Sequence, residues 1–275
     1  MSSPALLAVV CARNEALQIE WCLRNLIGQG FEVILIDHSS DDNTVERAQE
    51  FVGQGLLRIE HLVWHGYFSL SDQLRCKQAI LSDSTHDWVA HFDVDEAPQA
   101  IPGWKDLRQV VLAADAAGFN CINFDEMVLL PPPDQVVFQG DAFKGTYCDY
   151  YFFQPTYPRL MRLWRRDAGF TNLTAGGHCL KGDSNLYRFP QDQLLKHYIV
   201  LSREAAFAKY LPRVFSSEDL DRGWHGNRVN ITKSGVEAYF AGCFQGDDRL
   251  RQLTNAESKV MDRSAPQTKH FWEWC

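Results

Sequence analysis

The first 96 residues alternate between short apolar runs and helical patterns, and that rhythm admits few architectures. Leu6 to Cys11 reads as a buried strand. Asn14 then stands where a helix N-cap is expected, with Glu15 in the favourable first turn. Ile19, Cys22, Leu23, Leu26 and Ile27 follow at helical spacing, and Gly28 and Gly30 end the helix. Phe31 to Ile36 is a second strand that stops at Asp37. Asp42 or Asn43 caps a helix carrying Val45, Ala48 and Val52 and closed by Gly53. Leu56 to Val63 is a third strand, Ser71 opens a helix with Leu74, Ala79 and Leu81, and Trp88 to Phe92 is a fourth strand. It runs directly into Asp93-Val94-Asp95-Glu96.

Apolar strands separated by helices imply an α/β fold, with a mostly parallel sheet covered by helices on both faces. Ligands of such sheets sit beyond the carboxyl ends of the strands. The polar clusters fall there: Arg13-Asn14-Glu15, then Asp37-His38-Ser39-Ser40-Asp41-Asp42, then Asp93 to Glu96. Downstream, Lys105 to Ala117 is a helix, and Cys121 to Phe124 is a strand ending in Asp125-Glu126. Pro131-Pro132-Pro133 opens an irregular, aromatic-rich stretch to about Phe170 that includes Tyr147, Tyr150, Tyr151, Phe152, Phe153, Tyr157 and Trp164. From Ser202 the pattern is mainly helical. The simplest organisation is a single domain over 1–275, with a binding half (1–96), a catalytic half (97–200) and a helical C-terminal extension (201–275).

Charge narrows the partners. The chain carries 27 basic and 35 acidic residues, a net charge of −8. That argues against a nucleic-acid surface, and any phosphate-bearing substrate would need a local cation to offset the field. Asp93 and Asp95, two apart in an extended segment, point to one face. Two convergent carboxylates call for a cation between them. Mg²⁺ or Mn²⁺ suits such a site, taking one or two carboxylates and completing its shell with water and substrate phosphates. Arg75 and Lys77, on the helix before the fourth strand, are candidates to neutralise phosphate, or form a solvated helix face. Asp37 is placed to accept from a ribose hydroxyl or a base N–H. Neither a Gly-x-Gly-x-x-Gly nor a Gly-x-x-x-x-Gly-Lys run is present, which excludes a dinucleotide fingerprint and a P-loop.

Eight cysteines are scattered with no Cys-x-x-Cys pair, as expected of buried thiols in a reducing compartment. No stretch approaches a membrane span, and the N-terminus reads as a strand rather than a signal peptide, so a cytoplasmic location is expected. Peripheral membrane association stays open.

The runs Val9-Val10-Cys11-Ala12-Arg13-Asn14-Glu15, Ile34-Leu35-Ile36-Asp37-His38-Ser39-Ser40-Asp41-Asp42-Asn43-Thr44 and Asp93-Val94-Asp95 together resemble a bacterial family 2 glycosyltransferase of the Rossmann-like GT-A fold and DXD type. The second half is similar to a bacterial subgroup through Asn123-Phe124-Asp125-Glu126, Gly176-Gly177-His178, His197-Tyr198, Lys209-Tyr210 and Gly223-Trp224-His225-Gly226-Asn227-Arg228. The resemblance implies a metal-dependent hexosyltransferase-like enzyme that moves a sugar from a UDP- or GDP-linked donor to a glycan, lipid, protein or small-molecule hydroxyl, with inversion. It implies donor binding by Arg13, Asn14, Glu15, Asp37, Ser39 and Asp42, with Arg75, Lys77 and Asp93 beside them. Metal ligation falls to Asp93, Asp95 and a later histidine, His197 first. The usual second-strand turn, Asp-Asp-Gly-Ser or Asp-Asn-Gly-Ser, is Asp37-His38-Ser39-Ser40 here, so a glycine is missing where the turn's shape bears on base specificity.

For the acceptor-side base the expectation is Glu126, then Asp125, as carboxylates following an apolar strand. Asp183 and Glu218 are poorer candidates. His178, Trp224 and His225 are candidates for the acceptor pocket, with Trp224 as a sugar-stacking platform and a core role as the plainer alternative. Rival readings are a sugar nucleotidyltransferase, a degenerate nucleotide-sugar or glycan-binding module, and a metallohydrolase. The last lacks His-x-His and His-Glu-x-x-His spacing.

Overall fold

The computed structural model describes residues 3–133, 149–182, 184–253 and 261–274. The chain divides into two compact units that interleave in sequence. The first is Met1–Trp64, Leu70–Asp125 and Pro158–Leu195, and the second is His65–Ser69, Glu126–Tyr157 and Lys196–Cys275.

In the first unit, β1 (Leu6–Ala12) lies between β2 (Glu32–Asp37) and β4 (Trp88–Asp93), all parallel, and β3 (Leu56–His61) pairs parallel with β2. β1, β2 and β4 are near-continuous apolar runs because both faces are covered, and every residue of β1 is buried, whereas β3 at the edge carries Arg58, Glu60 and His61 and is mostly exposed or half-buried. The connections are α1 (Ile19–Gly28), α2 (Thr44–Gln49) and α3 (Leu70–Asp83). Helix α1 turns Ile19, Trp21, Cys22, Leu23 and Leu26 inward, each such burial stabilising by about 1.5–3 kcal/mol for the large apolar side chains. Beyond β4 come β5 (Glu96–Gln99) and α4 (Leu107–Ala116), the helix capped by Asp106 accepting from the Gln109 amide. Two antiparallel strands complete this sheet: β8 (Leu160–Arg165) on β4, and the start of β6 (Cys121–Leu130) on β8. The α/β reading with a mostly parallel sheet therefore holds.

Two local expectations are corrected here. Asn14 does not cap α1. It has φ +56°, in the left-handed region, and the chain turns through residues 15–18 before α1 begins with Gln18 as N-cap. The Glu15 carbonyl accepts from the Gln18 and Ile19 amides at 2.9 Å, so the backbone closes the turn itself. Second, Asp125 and Glu126 do not end a strand. β6 continues through them to Leu130.

In the second unit, Glu126 to Leu130 pair antiparallel with β7 (Asp149–Phe153), and β7 pairs with β10 (Arg251–Gln252). The aromatic stretch is only partly irregular: Tyr150, Tyr151, Phe152 and Phe153 form β7 and Trp164 lies in β8 of the first unit, whereas residues 154–159, with Tyr157, hold no strand or helix. Tyr147 lies outside the described residues. The helical reading of the tail holds for α5 (Arg203–Tyr210), α6 (Ser217–Asp221), α7 (Gly226–Val229) and α8 (Lys233–Phe240). Ser202, Ser216 and Thr232 cap α5, α6 and α8 by accepting from Ala205, Asp219 and Gly235 amides. An aromatic core of Tyr151, Phe153, Tyr210, Tyr239, Phe271 and Trp272 holds the helices to β7. Its phenols are satisfied: Tyr239 donates to the Pro131 carbonyl at 2.6 Å and Tyr210 to that of Ile199 at 2.8 Å.

Among the described residues no helix is long and apolar enough to cross a membrane. Cys11, Cys22 and Cys121 are buried free thiols and Cys76 and Cys179 half-buried ones, whereas Cys243 is exposed, against the expectation of burial. The strand β9 (Gln193–His197) contributes its first three residues to the first unit and its last two to the second.

Candidate active site

The parallel register levels the carboxyl ends of three strands. Ala12 stands opposite Asp37, and Cys11 stands between Ile36 and Asp93. The loops leaving these ends are therefore neighbours, as a ligand site beyond a parallel sheet requires.

The first two loops are knitted together. Asn14 donates from Nδ2 to Asp41 Oδ1 at 2.8 Å and accepts the Asp41 amide at 2.9 Å, while its own amide reaches Ser40 Oγ at 3.0 Å. The Glu15 amide donates to Thr44 Oγ1 and the Ala16 amide to Asp42 Oδ2. Asp42 also accepts from the Thr44 amide at 2.9 Å. Arg13 donates to the carbonyls of His38 and Ser39, faces Asp41 at 3.5 Å, and lies with its guanidinium 4.0 Å from the Trp64 ring centre. Asp37, buried, accepts the Ser40 amide, and His61 stands 3.8 Å from it. The structure thus brings Arg13, Asn14, Glu15, Asp37, Ser39 and Asp42 together as expected from sequence. Much of their bonding shapes the loops.

Ser39 explains the missing glycine. Its φ is +54°, a left-handed conformation that favours glycine, so the turn keeps the glycine's geometry without the glycine. Its hydroxyl donates to the Leu62 carbonyl at 2.9 Å and accepts the Trp64 amide at 3.1 Å. Ser39→Ala is expected to lose both bonds while retaining the backbone strain. Ser39→Gly loses the bonds but relieves the strain, and should be more stable than Ala by about 1 kcal/mol. Urea unfolding of both variants checks this order, and an Ala variant as stable as Gly would contradict it.

Asp93 ends β4, and Val94 and Asp95 form a turn to β5 rather than an extended segment, so the same-face argument from i, i+2 spacing does not apply. Asp95 is buried and Asp93 half-exposed. Lys77, on α3, is buried and donates from Nζ to Asp93 Oδ1 at 3.4 Å. It is a counter-ion in the interior, not part of a solvated face. Arg75 does lie on that face, 52% exposed and paired with Asp72 at 2.7 Å. Arg162, from β8, donates to Glu96 Oε1 at 2.8 Å and stands 3.8 Å from Asp93 Oδ2. Glu96 Oε2 accepts the Asp93 amide at 2.9 Å.

Below this turn His91 is buried, with Nδ1 2.8 Å from Asn172 Nδ2. A side chain at Gly177 would come within 3.2 Å of the His91 ring and of Leu74, so that glycine serves close packing. His178 is half-buried, its carbonyl accepting the Met161 amide. Burial, then the Arg162 and Lys77 charges, hold the His91 imidazole well below its usual value. Burial and then Arg13 lower His38 likewise. The unfolded chain therefore binds protons that the folded chain refuses. The resulting stability is present above about pH 6.5 and declines as pH falls below it, by up to about 1.4 kcal/mol per pH unit per group. His91→Gln, which keeps an acceptor for Asn172, is expected to flatten this decline in urea unfolding between pH 7 and 5.5; an equally steep decline would contradict it. The Cys11 thiol is pushed up to about 12 by burial, so it is no nucleophile here.

Of the remaining candidates, Asp125 is half-buried on β6 in the first unit, whereas Glu126, His197, Glu218, Trp224 and His225 lie in the second. Glu126 and His197 are both buried, with His197 Nδ1 2.6 Å from Glu126 Oε1. His225 has φ +63°, stacks on Phe215 with ring centres 4.5 Å apart, and sets Nε2 3.2 Å from the buried Asp219. Burial lowers its imidazole, with Asp219 opposing. These contacts make His225 a packing residue. Trp224 is half-buried with the Arg222 guanidinium 5.1 Å from its ring centre. Glu218 pairs with Arg222 on an exposed helix turn. Asp183 and the Asn227 side chain lie outside the described residues.

Sequence reasoning missed Arg162, Trp64 and Gln73, the last 3.2 Å from His38 Nδ1. Only Arg162 left a signal: a lone cation inside Leu160-Met161-Arg162-Leu163-Trp164 has to find an anion. Among the described residues no three His, Cys, Asp or Glu side chains gather as a metal site. Two carboxylates on one turn still fit a hard divalent ion that draws its other ligands from a diphosphate and water.

Residues 7–101 match the family model described as Glycosyl transferase family 2. Among solved structures, S. aureus TarS 1-349 aligns with TM-score 0.41 and 11% identity over 89% of this chain and 73% of that one. S. aureus TarS aligns with TM-score 0.40 and 12% identity over 87% and 43%. TarS 1-349 in complex with UDP gives 0.38 and 10% over 89% and 73%. At these scores the three likenesses carry no argument about substrate, and the UDP is that protein's ligand.

Proposed function

We propose, taking as premise that residues 7–101 are a family 2 glycosyl transferase segment and the chain a glycosyltransferase, that it transfers a sugar from a nucleoside-diphosphate sugar to an acceptor hydroxyl with inversion. The observation that carries the reading is the register that levels Ala12, Asp37 and Asp93 at one edge of the parallel sheet. It gathers the Arg13–Glu15 loop, the Asp37–Asp42 loop and the Asp93–Glu96 turn in one place.

In this reading Asp37 accepts from the nucleoside, and the Arg13–Trp64 stack walls the base. Asp95, with Asp93 beside it, holds a Mn²⁺ or Mg²⁺ ion. When bound, the ion offsets the charge that builds on the departing diphosphate. Lys77 and Arg162 keep Asp93 in place while the donor is absent. The acceptor-side base in this reading is the Glu126–His197 pair, in which the carboxylate fixes the imidazole. His178 and Trp224 remain candidates for acceptor contact. One face attacked and one base used leave the anomeric centre inverted. The chain acts in the cytoplasm, on a glycan, lipid or protein acceptor.

The test is turnover. Panels of UDP- and GDP-sugars with Mn²⁺ are expected to release nucleoside diphosphate, slowly to water and faster with the right acceptor. Release of pyrophosphate from a nucleoside triphosphate and a sugar phosphate would instead favour the nucleotidyltransferase reading.

A further inference from the structure

The turn leaving β2 carries a histidine that does not face solvent. His38 is 1% exposed, and its ring is engaged on three sides. The Gln73 side-chain amide, on α3, donates to Nδ1 at 3.2 Å, and the ring in turn donates to the Val63 carbonyl. The ring meets the Trp64 indole edge to face, with ring centres 5.1 Å apart and planes at 72°. Trp64 is half-buried. Its amide donates to Ser39 Oγ at 3.1 Å, and the Arg13 guanidinium lies 4.0 Å from its ring centre. Arg13 closes the circuit by donating to the His38 carbonyl at 3.0 Å. All of these residues lie in the first unit.

Trp64 stands just beyond β3, where no strand or helix fixes it. The indole therefore takes its direction from what it packs against, and His38 is its fully buried neighbour. Burying an imidazole is costly unless its nitrogens are bonded. Both are bonded here, and a satisfied buried polar group specifies one arrangement of its surroundings rather than several. Asn or Asp at position 38 could shape the turn, but either is too short to reach α3 and the indole together. The circuit holds two flat groups, indole and guanidinium, against each other beside the loop that Asp37 opens. Such a stack offers a flat surface to any nucleobase, whereas a carboxylate reads only the base's edge.

We propose that His38 is a positioning residue for the nucleobase: acting through Trp64, it holds the Arg13–Trp64 stack rigid as the wall against which the base of the donor lies. The buttress stands on the contacts alone. Its consequence for binding rests on the donor-site reading above.

Two measurements on the full chain test it. Fluorine NMR of the 5-fluorotryptophan-labelled protein, with the Trp64 signal assigned through Trp64→Phe, reads the buttress without nucleotide. His38→Asn should move that signal toward the position of a solvated indole. Gln73→Met, which removes the bond from α3 and leaves His38 in place, should move it the same way by less, and serves where His38→Asn does not fold. Titration of UDP and GDP, with and without Mn²⁺, reads the consequence. For whichever nucleotide binds, His38→Asn and Trp64→Leu should each weaken binding about tenfold, within what stacking one base supplies. The double variant should bind little more weakly than Trp64→Leu, because His38 acts only through Trp64. The gain in affinity from Mn²⁺ should persist in all three, which a general disruption of the site would not allow. An unmoved Trp64 signal in the folded variants overturns the buttress. A moved signal with unchanged nucleotide affinity, losses that add in the double variant, or a lost Mn²⁺ effect overturns the positioning role. A wild-type chain that binds neither nucleotide with any metal, yet shows the moved signal, upholds the buttress and sinks the donor-site reading instead.

Discussion

Glu126→Gln is expected to lower kcat by about a hundred- to ten-thousand-fold, the span that general-base catalysis supplies, with the donor KM within about threefold. Gln has the shape of Glu and can still accept from His197 Nδ1, so the 2.6 Å contact survives in outline while the proton acceptor is lost. His197→Gln should produce a loss of similar size, and the double variant little more than either single one, because residues that act as a unit are strongly non-additive. The acid limb of the pH–rate profile should disappear with the pair. A Glu126→Gln enzyme within about threefold of wild type in kcat would place the base elsewhere, with Asp125 the next residue to replace.

Asp95→Asn is expected to cost about a thousandfold in kcat/KM at saturating Mn²⁺, equivalent to about 4 kcal/mol of transition-state stabilisation. Asparagine preserves volume and one acceptor oxygen but removes the charge that a hard cation seeks. Asp93→Asn should cost less in turnover and more in folding, since Lys77 and Arg162 then keep their charges without that carboxylate. Steady-state nucleoside diphosphate release and urea unfolding on the two variants separate these effects. Equal losses from both in turnover would mean that the two aspartates share one task.

The parallel half of the fold was legible because its signal is redundant. β1, β2 and β4 are apolar runs, the helices between them show their own period, and each polar cluster falls at a strand end, so one misread cap changes nothing downstream. Asn14 was misread because a left-handed turn and an N-cap use the same residue types. The difference lies in Asp41, whose bonds to Asn14 come from another loop. Glu126 was misread as a strand end because a carboxylate ordinarily stops a buried strand. It continues here because His197 partners it, a contact 71 residues away in sequence. Met127-Val128-Leu129-Leu130, directly after it, is the apolar run that carries the strand onward.

The site was legible as positions, not as bonds. Arg13, Asn14, Asp37, Asp93 and Asp95 were named from spacing, yet nothing local shows that Lys77 is buried or that Asp93 sits between two cations. The second of these needs β8 returning antiparallel beside β4 to bring Arg162 to Asp93, which a sequence rich in local signals does not encode. His225 was named for the acceptor pocket from its place beside Trp224, and its stacking on Phe215 was not readable from that run.

The most direct test of the donor site is calorimetric titration of UDP and GDP, each with and without Mn²⁺, into the wild-type chain and into Asp95→Ala. One nucleotide is expected to bind in the presence of metal, about tenfold or more weakly when the metal is omitted, and Asp95→Ala is expected to abolish the metal-dependent part. Binding of neither nucleotide under any metal condition, or binding indifferent to both metal and Asp95, would contradict it.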